Sequence, residues 1–94
     1  MSVEHLAWAF GQSLPPNEKL VLLAVANSTS VGGFCEISIE MLADRTSLPR
    51  SAVAEAMHSM EARGLMEMLR EIDRHGPKHS SLYQIHLQRM ANET

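Results

Sequence analysis

Cysteine is nearly missing from this chain, with Cys35 the only one. No disulfide can form within the chain, and a reducing cytoplasm is the expected location. Long apolar runs are missing too: none approaches the roughly 18 residues that a membrane span requires. The opening Met1-Ser2-Val3-Glu4-His5 has no Lys or Arg ahead of an apolar stretch, which argues against a secretory signal. No Ser-His-Asp order, glycine-rich phosphate loop or pair of catalytic carboxylates stands out. The chain is therefore not expected to be an enzyme or to carry a cofactor. Positive charge is also short. Eight Lys and Arg stand against 11 Asp and Glu, a net charge of −3.

What is present fits one folded domain. The 94 residues are 45% hydrophobic and 20% charged, an ordinary balance for a packed domain rather than a disordered chain. There is no internal repeat and no low-complexity tract. Ser2 to Phe10 reads as a short amphipathic helix stopped at Gly11. Pro15-Pro16 opens a second helix, since proline is favoured where the N–H would be unpaired anyway. Glu18 then suits the positive end of the helix dipole. Leu20 to Ala26 is almost wholly apolar, so this helix is expected at the centre.

Gly32-Gly33 marks a turn and Phe34 to Ile37 a very short strand. Ser38 is a candidate N-cap for a helix to about Arg45, with Ile39, Leu42 and Ala43 inward. Thr46-Ser47-Leu48-Pro49 is a tight turn. A longer helix follows from about Arg50 to Arg63, with Val53, Met57 and Met60 as its buried stripe and Gly64 as its stop. After Gly64 the period changes to two. Leu65, Glu67 and Leu69 alternate with Met66, Met68 and Arg70. Tyr83, Ile85 and Leu87 later alternate with Gln84, His86 and Gln88. These runs read as antiparallel strands around the polar loop Asp73 to His79.

A short helix, a four-residue turn and a longer helix ending in Gly-Leu have the spacing of a helix-turn-helix. The expected fold is therefore α+β, a winged helix-turn-helix. It has a helical extension over 1–13, a core of three helices with a small antiparallel sheet over 15–87, and a tail over 88–94. In such a motif the second helix enters the major groove of duplex DNA. Placing Val53, Met57 and Met60 inside puts Ser51, Glu55, His58 and Ala62 outside, with Ala52 and Ser59 beside them. Arg50 stands at the helix start, in reach of a phosphate or a guanine. Thr46 and Ser47 of the turn complete this candidate surface. Arg70, Arg74 and Lys78, with His75 and His79, concentrate positive or protonatable groups on the hairpin, where they would grip phosphates.

The chain also resembles the small winged-helix domains of phage and plasmid replication proteins and related regulators. The residues that carry the likeness include Trp8-Ala9, Leu14-Pro15-Pro16, Lys19 to Ala24, Ala26, Gly33, Cys35, Ser38, Leu42-Ala43, Thr46, Leu48, Arg50, Val53, Met60-Glu61, Gly64-Leu65 and Tyr83. They run from about Val3 to Leu87. The resemblance implies sequence-specific binding of double-stranded DNA in transcription regulation or replication control. With no ATPase or primase module, a replication role implies protein partners. Two departures stand out. Ser51 and Glu55 occupy positions where the family commonly has Arg, and Glu36-Ile37 replaces an aromatic-proline pair.

Glu55 can accept from a cytosine amino group, but an exposed mid-helix Glu is more often a solubilising charge that repels phosphate, and that reading is preferred. His75 and His79 flank Gly76-Pro77, so they are not a helical pair. With only one cysteine, a zinc site is not expected. Cys35 reads as a small buried residue. The net charge and the Ser51 and Glu55 positions motivate an alternative, a winged helix used for protein contacts with weak or no DNA binding. A homodimer is expected if DNA is the partner, through the Trp8/Phe10 segment or the tail 88–94. No membrane partner is expected.

Overall fold

Local signals set each element. The computed structural model describes residues 2–72 and 80–86. Helix α1 (Val3–Phe10) starts at Ser2, whose hydroxyl accepts from the His5 N–H and lies 2.7 Å from His5 Nδ1. Its C-terminal turn lacks a basic residue of its own. Lys19 supplies the missing charge from the next helix, donating to the carbonyls of Phe10 and Gln12. Helix α2 (Pro16–Asn27) has proline in its first turn, and Val21, Leu22, Val25 and Ala26 are buried. It packs against α1, α3 and α4, the central position expected from its composition.

Strand β1 (Phe34–Ile37) alternates exposed and buried residues. Helix α3 (Ile39–Thr46) is capped by the Ser38 hydroxyl, which accepts from Met41 N–H at 3.1 Å. Ser47 ends it in the left-handed region, with φ at 63°. Pro49 then precedes helix α4 (Arg50–Ala62), which buries Val53, Ala56, Met57 and Met60. This is the expected stripe with Ala56 added.

At the end of α4, Gly64 N–H donates to Glu61 O and Leu65 N–H to Met60 O. Gly64 has φ of 81°. That paired arrangement around a left-handed glycine satisfies the last helical carbonyls.

Strands β2 (Met66–Ile72) and β3 (Ser80–Ile85) pair antiparallel, and β1 joins on the far side of β3. The molecule is thus α+β, with four helices and a small three-stranded antiparallel sheet in the order β1-β3-β2. The element order is the one expected.

The strict alternation expected along β2 does not hold. Met68 pairs with Tyr83 and Arg70 with Leu82, leaving Leu69 as a bulge. Without the bulge, Arg70 would share the face of Met66. With it, Arg70 shares the outer face of Leu82 and Glu36, because the extra residue shifts the register by one. Met68 pairs with Tyr83 on the face of Met66, yet is 39% exposed. The core draws on all four helices and all three strands, from Ala9 to Ile85. Among the described residues, no helix is long and apolar enough to cross a membrane.

Candidate nucleic-acid interface

The expected contact surface begins where α3 meets α4. Ser38 fixes the start of α3, Ser47 turns the chain, and Pro49 sets the first turn of α4. The outward side of α4 carries Ser51, Ala54, Glu55, His58 and Ala62, all exposed. These side chains are small or polar, and none is a permanent cation. Ala52 and Ser59 are half-buried. With Glu55 and Ala56 they face Pro15, Asn17 and Glu18 across a cavity of about 200 Å³. They therefore sit on the side of α4 that looks toward α2.

Two expected contacts are corrected. Thr46 is buried; its hydroxyl donates to Leu42 O at 2.7 Å and accepts from Leu48 N–H at 3.3 Å. It holds the turn together rather than facing a partner. Trp8 is half-buried and packed on the core, so only Phe10 of that pair is exposed. Ser47, Arg50 and Ser51 are exposed together at the junction, as expected. Arg70 is exposed on β2. Arg74, His75, Lys78 and His79 lie outside the described residues, as does the tail 88–94.

The electrostatics were less legible. Arg50 at the start of α4 is ion-paired with Glu40 of α3. Arg63 lies 3.7 Å from Glu18, whose side chain is largely buried. Arg45 donates to the Ser28 hydroxyl, and Lys19 is committed to α1. Of the five Lys and Arg among the described residues, only Arg70 lacks a described partner. Nine Asp and Glu accompany these five cations.

Three of those acids, Glu36, Glu40 and Asp44, line a groove of about 400 Å³ with Ile37, Ser38, Met41 and Ser80. Ser80 donates to Glu36 at 2.8 Å. The sequence offered no local signal for the Glu40–Arg50 pair. The two are ten positions apart across a turn, beyond the three- and four-residue spacings that pair side chains on one helix.

Cys35 is buried on the inner face of the sheet. Burial pushes its thiol pKa up, partly opposed by a hydrogen bond with Thr29. Tyr83, its partner in register, is also shifted up, first by burial and then by the negative charge of Glu61, Cys35 and Glu71. Among the described residues, no three His, Cys, Asp or Glu side chains form a metal site. No protein-family model, curated protein or solved structure matches the chain.

Proposed function

We propose that this chain is a winged helix-turn-helix domain that binds double-stranded DNA sequence-specifically, with α4 in the major groove. One observation carries the reading. A short capped helix and a left-handed serine lead into a 13-residue helix whose outer face is small and polar and makes no part of the core. A two-stranded antiparallel unit follows that helix directly. An α-helix with short side chains outward fits the major groove, where Ser51 can bond either base type and Ala54 can touch a thymine methyl. Among the described cations, this reading assigns phosphate contacts to the exposed Arg50 and Arg70. The role that fits, from the resemblance, is transcription regulation or plasmid or phage replication control.

The test is selection of bound duplexes from a random pool at physiological salt. An enriched site is expected, and its absence overturns the proposal. Arg70→Ala should weaken binding on all sequences alike and flatten the salt dependence, whereas Ser51→Ala should change the preferred base.

A second reading rests on a specific observation. Arg50 is held by Glu40, and acids outnumber bases among the described residues. A surface of that sign suits a basic protein partner and disfavours phosphate. If generic duplex DNA fails to bind even at low salt, this reading replaces the first.

A further inference from the structure

The groove of about 400 Å³ lies where β1 runs into α3 and β3 begins. That volume is within the usual range of ligand clefts, about 300–1,000 Å³. Its apolar lining is Ile37, which is buried, and Met41, which is half-buried. Its polar lining is acidic: Glu40 and Asp44 stand one helical turn apart on α3, and Glu36 lies at the end held by Ser80. Among the described residues, no Lys, Arg or His lines it. Like charges at the i, i+4 spacing weaken a helix, and no described cation offsets Asp44. Glu40 shows which chemistry this rim takes, because its Oε1 already bonds the guanidinium of Arg50. A carboxylate has room to accept from a second donor.

We propose that this groove docks an arginine side chain from a short, extended, basic segment of a partner protein. Charge complementarity selects the sign, and the two carboxylates on α3 select the shape. A planar guanidinium can fork between acids one turn apart, whereas an ammonium is a compact and strongly hydrated point charge. The arginine stem is apolar and covers Met41 and Ile37 while its head stays at the rim. The volume holds a few side chains and no more, which fits a segment rather than a folded surface.

The groove belongs to β1, α3 and the start of β3, apart from the outer face of α4. The inference therefore goes beyond both readings above. DNA binding through α4 neither requires the groove nor blocks it, and the test uses no DNA.

The probe is the capped tripeptide Leu-Arg-Leu, titrated into the isotope-labelled full chain and followed by NMR. Saturable shifts are expected at the Met41 methyl and at the amides from Ile37 to Asp44, with a Kd on the order of 1 mM. Asp44→Asn should weaken binding about tenfold; Asp44 is exposed, so this variant should melt with the wild type. Glu4→Gln removes a charge outside the groove and should leave the Kd unchanged. The same peptide with lysine should bind more weakly, and with uncharged citrulline it should not bind. Absence of shifts up to about 10 mM peptide overturns the inference. So do shifts scattered over carboxylates throughout the chain, an unchanged Kd in Asp44→Asn, or equal binding of the lysine or citrulline peptide. If Arg74→Ala with Lys78→Ala shifts the groove signals without peptide and then tightens peptide binding, the chain's own segment 73–79 is the occupant, and the inference fails.

Discussion

Cys35 and Tyr83 face each other across β1 and β3 on the side of the sheet that meets the helices. Both acidic groups are raised in the folded chain, chiefly by burial. The sign of the linkage follows. Above about pH 8.5, the ordinary thiol range, the unfolded thiol releases its proton while the folded one retains it. The unfolded state then binds fewer protons, so stability falls as pH rises. The phenol extends the loss above about pH 10. Urea melts at pH 7, 9 and 10 should show a declining midpoint, and Cys35→Val should remove the first part of the decline. A midpoint flat across this range would contradict the burial argument. The same burial should keep the thiol slow toward maleimide in the native chain and fast in urea. Residue type alone made Cys35 legible as a buried position. Thr46 was not legible in this way. A hydroxyl in a turn reads as polar surface, and only its 2.7 Å bond to Leu42 O turns it inward.

The elements were readable where a local rule governs them. Ser38 is one case: its side chain satisfies an otherwise free N–H in the first turn of α3. Ser38→Ala should lower stability by about 1 kcal/mol and Ser38→Gly by only a few tenths, measured by denaturant melts. An equal loss for both would show that the hydroxyl does not act as the cap. Gly64 is another, because a left-handed helix stop favours glycine. The bulge at Leu69 had no such signal. Leu65 to Arg70 reads as an unbroken alternation, and nothing in it marks one residue as extra. Pairing with β3 decides the matter, because Met66 must meet Ile85 on the buried side while Arg70 must reach solvent.

At the scale of the molecule, charge governs what α4 can bind. The ion pair between Arg50 and Glu40 is exposed on both sides, and such pairs contribute little to stability. Under the proposed DNA reading, the pair competes with phosphate for the guanidinium. Glu40→Gln should therefore leave thermal stability nearly unchanged. It should also strengthen binding to generic duplex several-fold at low salt and steepen the salt dependence. Arg50→Ala should cost more affinity in the Glu40→Gln background than in the wild type, a coupling that a double-mutant cycle measures. Additive effects would mean that Glu40 does not restrain Arg50.

By itself the sequence determined the helices, the Ser38 cap and the Gly64 stop, the buried stripe of α4, the strand-forming segments and the order in which they occur. Each of these follows from side-chain periodicity or from the needs of a backbone terminus a few residues away. Tertiary structure alone decided which polar groups remain available. Glu40 reaches Arg50 across a turn, Glu18 lies near Arg63 from another helix, Lys19 closes α1, and the bulge turns Arg70 outward. The physical reason is range. Periodicity records which face a residue occupies, whereas the fate of a charge depends on groups brought near it from distant parts of the chain.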